Sequence, residues 1–192
     1  MTNVKNILLV GVGGQGTILA SKILSNGLVE HGYDVKMAEI HGMSQRGGSV
    51  VSQVRYGEEV FSPVIDKGNA DIIVAFEMME ALRWLNHLKP DGKVIVNDYK
   101  LPSARINSGL DKYPENVLNR LKEKANITII NAADIAAELG NRRTMNVVLL
   151  GSLIQAMNLD NVDWDTVINE NVKDKFVDIN IKALQAGINC TK

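Results

Sequence analysis

Apolar and polar positions fall in blocks along this chain, and the period changes from block to block. Residues 4–10 form a near-continuous apolar run, the pattern of a strand buried on both faces. Thr17–Glu30 carries apolar residues at 18, 19, 23, 24 and 28, a helical spacing that His31-Gly32 ends. Residues 34–40 read as a second strand. Residues 49–56 alternate, with Val50, Ser52, Val54 and Tyr56 set against Val51, Gln53 and Arg55, the period of an exposed or half-buried strand. Gly57-Glu58 turns the chain back into Val60-Phe61, which predicts an antiparallel hairpin before Pro63 interrupts it. Residues 70–76 read as a buried strand, 78–88 as a helix, Pro90-Asp91-Gly92 as a turn and 93–97 as a strand. A helix over 115–125 and a strand over 127–131 follow. Residues 132–139, 145–157, 164–171 and 178–187 read as helices. The segment 100–114 is the longest irregular stretch, polar enough for a surface loop.

Strands alternating with helices predict right-handed crossovers and layers on both faces of a sheet. The expected fold is therefore a three-layer α/β/α, Rossmann-like domain with a mixed sheet. Residues 4–10, 34–40, 70–76 and 93–97 are its expected central strands, and 49–56 lies antiparallel to a neighbour. No linker or repeat divides residues 1–192, which read as one domain, and 45% hydrophobic residues suffice for a core. A net charge of −1 gives no reason to expect nucleic acid or an anionic membrane. No apolar stretch approaches the roughly 20 residues of a membrane span. Cys190 is the only cysteine, which excludes a disulfide framework and suits a reducing cytoplasm.

Candidate chemistry gathers in two segments. Gly11, Gly13 and Gly16 fit G-x-G-x-x-G, with Gly14 and Gln15 between them, directly behind the first strand. Such a turn lets backbone approach a phosphate at a helix N-terminus. Glu39 ends the second strand about 20 residues later, where an acid can hold a ribose hydroxyl. On these residues alone a free-standing dinucleotide-binding oxidoreductase stays open, although glycine turns of this kind often bind nothing. No hydride-transfer site is recognisable: His31 and His87 read as solvated helix residues, no catalytic residue is assigned, and no metal-ligating set is read. The second segment runs from Ile40 to Ser49 and holds His41, Met43, Gln45, Arg46 and three glycines. Loops after the first two strands leave the same carboxyl edge of a parallel sheet, so the two segments are expected to be neighbours. Glu39, His41, Gln45 and Arg46 are the candidates for a patch there, with Arg46 suited to an anion or, equally, to an internal pair with Glu39.

The stretches Gly11–Ser21, Glu39–Ser49 and Asn146–Gly151 resemble the gamma-domain family of 2-oxoacid:ferredoxin oxidoreductases. The likeness runs from about residue 4 to about residue 185, and Met43-Ser44-Gln45-Arg46 places it on the indolepyruvate branch. The resemblance implies a subunit of a complex that converts a 2-oxoacid and coenzyme A to the acyl-CoA, with electrons passed to ferredoxin. It implies thiamine diphosphate, Mg and iron–sulfur clusters on a large alpha subunit and no cofactor in this chain. One cysteine cannot supply the four thiolates of a cluster. By the same resemblance the glycine turn is not a nicotinamide reader but a loop facing a ligand or the partner. The hairpin near Tyr56 and Phe61, the Met43–Arg46 loop and Arg142-Arg143 are the expected partner surface, and a chain purified alone is expected to self-associate.

Overall fold

The computed structural model describes residues 4–42 and 47–191. Six strands form one mixed sheet in the order β2-β3-β1-β4-β5-β6. These are β1 (Lys5–Val12), β2 (Asp34–His41), β3 (Ser49–Gly57), β4 (Ala70–Ala75), β5 (Leu88–Asn97) and β6 (Asn126–Ile130). β1, β4, β5 and β6 are parallel, and β3 runs antiparallel to both β1 and β2. Helices α1 (Thr17–Glu30), α5 (Ala132–Glu138), α6 (Met145–Ala156), α7 (Trp164–Asn171) and α8 (Val177–Asn189) share one core. Helices α2 (Met78–Trp84) and α4 (Val117–Lys122) pack into the other, and α3 (Ala104–Asn107) is a single turn.

The period-2 rule sorts the strand side chains between the two layers. In β1, Ile7 and Leu9 face α1 and α6, while Leu8 and Val10 face α2 and α4; all four have no solvent exposure. Burying a side chain of this size stabilises by about 1.5–3 kcal/mol, which is why an unbroken apolar run marks the sheet centre. On the helical side, α6 from Asn146 to Ile154 is buried all round, as its predominantly apolar sequence predicts, with Asn146 and Ser152 buried among the apolar residues.

The sheet departs from expectation at its first edge. The segment around 34–40 was expected in the centre; β2 is instead an edge strand, with Met37, Glu39, Ile40 and His41 exposed. Its polar Lys36, Glu39 and His41, spread over both faces, fit an edge better than a centre. The hairpin partners also differ. Residues 49–57 pair back onto 34–41, from Asp34 opposite Gly57 to His41 opposite Val50, and Val60-Phe61 forms no strand. Side chains capture the backbone that would have built that strand. The Asp34 carboxylate accepts from Val60 N at 2.7 Å, Arg55 donates to the carbonyls of Ser62 and Val64, and Gln53 Oε1 accepts from Ile65 N at 2.7 Å. This folds 58–65 over one face of β3 while α1 covers the other. The alternation of 49–56 therefore marks two different buried faces rather than one wet face, and Ser52 and Gln53 are buried.

Element ends shift for local reasons. α2 stops at Trp84, and the turn expected at 90–92 lies inside β5, where the pairing jumps from Ala70–Leu88 to Ile72–Lys93. A Cβ at Gly92 would lie 2.6 Å from Leu88 Cδ1 and 3.0 Å from Ala70 O, so any larger residue at the irregularity would have to displace Leu88. α4 begins only at Val117, after Asn116 in the left-handed region at φ 53°.

Candidate functional site

The carboxyl edge of the sheet is where the sequence places its chemistry. Although β3 intervenes, β2 runs in the same direction as β1, so the glycine turn and residue 41 come to the same edge. Gly13 N donates to Gly48 O at 2.9 Å, so backbone joins backbone where the two segments meet. Gly14 and Gly16 hold φ of 101° and 80°, values that cost an L side chain strain. Gly16 caps α1 without any side-chain hydrogen bond, which leaves first-turn amides of a 14-residue helix uncapped by a side chain among the described residues.

Gln15 does not face outward. Its Oε1 accepts from Val12 N at 2.8 Å and its Nε2 donates to Phe76 O at 2.9 Å, so this buried amide fastens the turn to the end of β4. Asn97 donates to the same Phe76 carbonyl at 3.2 Å and accepts from Ala132 N at 3.1 Å. Asn146 donates to Gly16 O at 3.2 Å, and a Cβ on Gly16 would lie 2.7 Å from its Nδ2. A belt of buried amides therefore ties the ends of β1, β4 and β5 to the starts of α5 and α6. Gly11 belongs to this packing as well: a Cβ there would meet Gln15 Oε1 at 2.9 Å and Thr17 Cγ2 at 3.0 Å.

Glu39 is exposed on β2 and accepts from Ser21 Oγ at 3.3 Å. In a dinucleotide fold the ribose-binding acid ends the strand beside the first. Here β3 occupies that place, and Glu39 lies two strands away. His41 is exposed and lines a cleft with Gly13, Gly14, Ile18, Lys22 and Val50, of about 680 Å³. Met43, Gln45 and Arg46 lie outside the described residues.

A second cleft, of about 590 Å³, opens on the other side of Gly14 and Gly16. Tyr99, Leu101, Arg142 and Arg143 line it. Arg142 reaches Asp134 at 3.9 Å with both side chains mostly exposed, a pairing worth little in water. The edge thus offers backbone amides, Lys22, Arg142 and Arg143 on the two sides of one turn, an arrangement suited to anionic groups. Among the described residues no three His, Cys, Asp or Glu side chains gather as a metal site requires. No helix among them is long and apolar enough to cross a membrane.

Two residues of this edge escape a reading by motif. Glu77 and Glu80 follow β4 directly and are buried, at 0% and 1% exposure. Acids at i and i+3 behind an apolar strand are a helix-start signal, and Glu77 Oε2 indeed accepts from Glu80 N at 3.1 Å. Burial raises the Glu77 carboxyl above its ordinary range, against the lowering effect of the Tyr113 hydroxyl and the Glu80 and Leu101 amides. A carboxyl with a raised folded pKa favours the folded state most when protonated. Its contribution is full below the unfolded pKa and is lost as pH rises through the folded one. Relative to Glu77→Gln, the wild-type chain is therefore expected to lose thermal stability from about pH 4.5 upward. Melting temperatures of the two proteins between pH 4 and 8 check this; parallel curves would contradict it.

The family model described as "Pyruvate ferredoxin/flavodoxin oxidoreductase" matches residues 6–190. The indolepyruvate oxidoreductase subunit IorB of Pyrococcus horikoshii is 39% identical over 193 residues, covering 97% of this chain and 96% of that one. IorB of Archaeoglobus fulgidus is 39% identical, covering 96% and 94%. Among solved structures, the pyruvate oxidoreductase subunit PORC of Thermotoga maritima superposes with a TM-score of 0.75 at 24% identity, over 97% and 96% of the two chains. A keto/oxoacid ferredoxin oxidoreductase gamma subunit of Geobacter sulfurreducens gives 0.72 at 22% identity, over 97% and 98%. These two establish the fold, and the sequence likeness does the rest: the chain belongs to the pyruvate ferredoxin/flavodoxin oxidoreductase family, aligning over nearly its whole length with small subunits of indolepyruvate oxidoreductase.

Proposed function

We propose that this chain is the cofactor-free small subunit of a cytoplasmic 2-oxoacid:ferredoxin oxidoreductase whose substrate is indolepyruvate or a related aryl pyruvate. The chain acts as one domain over residues 1–192. The large alpha subunit carries thiamine diphosphate with Mg, which supplies carbanion stabilisation for decarboxylation, and the iron–sulfur clusters that pass electrons to ferredoxin. This chain presents its carboxyl edge to that subunit. The Gly13–Gly16 turn, the 39–46 segment and Arg142-Arg143 frame the place where the partner, or the anionic groups of coenzyme A, meet it.

The observation that carries the reading most is the full-length likeness to IorB of Pyrococcus horikoshii. The sequence adds that one cysteine, Cys190, is too few for a four-thiolate cluster. The dinucleotide alternative is weakened by β3, which separates Glu39 from β1. The deciding assay supplies indolepyruvate, coenzyme A, thiamine diphosphate, Mg and an artificial electron acceptor to the purified chain, with and without the large subunit. Turnover is expected only with both polypeptides. Turnover by this chain alone, or stoichiometric uptake of a nicotinamide nucleotide, would overturn the assignment.

A further inference from the structure

Both segments that frame the clefts at the carboxyl edge run to the same place, the first turn of α2. On one side is the chain that leaves β5. Met78 N donates to Tyr99 O at 3.2 Å. Leu101 N donates to Glu77 Oε1 at 3.3 Å, and the Tyr113 hydroxyl donates to the same oxygen at 2.5 Å. Residues 101 and 113 are thus fixed on one buried carboxylate, and the exposed stretch between them, with Leu110 at 68% exposure, hangs from these two ties. The Tyr113 ring in turn lies under the Lys100 ammonium, 5.5 Å from its centroid. The carboxylate therefore also sets where a cation stands at this edge.

On the other side is the segment that returns into β3. Ser49 donates through its hydroxyl to Glu80 Oε2 at 2.5 Å, and Arg83 holds the other oxygen at 3.1 Å. Ser49 O accepts from Gly42 N at 3.3 Å, while Gly48 O accepts from Gly13 N at 2.9 Å. The base of the 42–49 segment is therefore pinned to the glycine turn by backbone and to α2 by the Ser49–Glu80 bond. Two adjoining acids on one helical turn hold two different loops, and no other element reaches both loops through buried carboxylates among the described residues.

Neither carboxylate is there for cheap stability. A buried carboxylate costs desolvation that its hydrogen bonds only offset, and an apolar residue would fill the same space without that cost. What a multiply bonded carboxylate adds is direction, because each acceptor oxygen fixes its donor's position.

We infer that Glu77 and Glu80 are positioning residues: Glu80 sets the chain at residues 47–49 and Glu77 the chain at residues 99–113, each on one side of the carboxyl-edge clefts and independently of the other, and so they set how that edge engages the large subunit and its cosubstrate. The engagement half rests on the function proposed above; the loop-positioning half does not. Neither carboxylate touches a ligand in this scheme. Glu80 acts through Ser49, and Glu77 acts through Leu101 and Tyr113.

The test uses single variants of the full chain that remove one tie each, Ser49→Ala and Tyr113→Phe, with Ser49→Thr as the variant that keeps the hydroxyl. Hydrogen exchange is read by peptide, with melting temperature as the check on global folding. A lost bond to a charged acceptor implies amide exchange faster by about tenfold to a hundredfold where the tie is lost. In Ser49→Ala this is expected in peptides covering 41–42 and 47–51, and not in 99–113. In Tyr113→Phe it is expected in 99–113 and not in 47–51. Ser49→Thr is expected to exchange like wild type. Acceleration in both loops from either variant, or in neither, overturns the inference. The same variants are then assayed in the complex with the large subunit. A raised KM for coenzyme A or a weaker subunit association, at a kcat within about twofold, supports the engagement half. Normal kinetics and association beside the local exchange changes would overturn the proposed engagement while leaving the positioning of the loops established.

Discussion

Replacing Gly187 by alanine is expected to cost this protein about 3 kcal/mol of stability. A Cβ on Gly187 would lie 1.9 Å from Val148 O, and one on Gly151 would lie 2.1 Å from Leu184 O. Both obstacles are backbone, and real Cβ contacts stay beyond 3.0 Å, so α6 and α8 must part by about an ångström before either substitution fits. They cannot part freely. Ser152 donates its hydroxyl to Gly187 O at 3.0 Å across the crossing, and α6 is locked between α8, α5 and the sheet with Val147 to Leu150 at zero exposure. Overpacking a filled core costs about 1–3 kcal/mol and occasionally more. For Gly187→Ala we expect the upper end, about 3 kcal/mol, hence a fall in Tm of about 6–12 °C for a chain of this size. Gly42→Ala is the control, since among the described residues a Cβ there meets nothing within 4 Å. The two crossing glycines share one obstacle, so Gly151→Ala combined with Gly187→Ala should cost less than the sum of the two. Calorimetry of the four variants beside wild type decides; a loss below about 1 kcal/mol for Gly187→Ala would mean that the helices do not cross this closely.

How much of this was legible beforehand depends on whether the determining contact was local. β1, β4 and α1 could be read almost to the residue, because their burial pattern is a property of their own sequence. The edge position of β2 could not. Strand order is fixed by which strand pairs with β1, and β3 takes that place by turning back from the 42–48 segment, a choice no period in 34–40 records. The hairpin was misassigned for a related reason: Val60 carries a strand-like side chain, but Asp34, 26 positions earlier, captures its amide. At the carboxyl edge, the meeting of the glycine turn with the loop after β2 followed from topology and is present as the Gly13–Gly48 bond. The inward role of Gln15 was invisible, since its second partner, Phe76 O, lies 61 positions away. Glu77 and Glu80 entered no reading of the sequence. Their spacing is a helix-start signal that could have marked them, but that they hold two distant loops is a tertiary fact.

The largest functional effect is expected from reversing the charge at Arg142 and Arg143. Both sit in a short turn ahead of α6, held by Asn141, whose side chain accepts from Arg143 N at 3.1 Å and whose carbonyl accepts the Thr144 hydroxyl at 2.9 Å. The backbone there is fixed by neighbours rather than by the guanidinium groups. Arg142 spends its charge only on an exposed contact with Asp134 at 3.9 Å. Arg142→Glu with Arg143→Glu should therefore leave the isolated chain's melting temperature within a few degrees of wild type, as surface changes usually move stability by only about 0.5 kcal/mol. The same two residues line the cleft beside Gly14 and Gly16, where the proposed function places the large subunit or the phosphates of coenzyme A. Setting like charges against a complementary surface costs several kcal/mol, so subunit affinity or the KM for coenzyme A should worsen by about a hundredfold or more. The two readouts separate the occupants. A weakened Kd between the subunits at normal KM assigns the arginines to the protein interface, and a raised KM with intact association assigns them to the cosubstrate. Neutral Arg142→Ala with Arg143→Ala should fall between wild type and the reversal, and its defect should shrink as salt is added to the wild-type comparison, because screening removes the attraction that the arginines supply. If the reversed chain binds the large subunit and turns over like wild type, the carboxyl edge is not the face that this subunit presents.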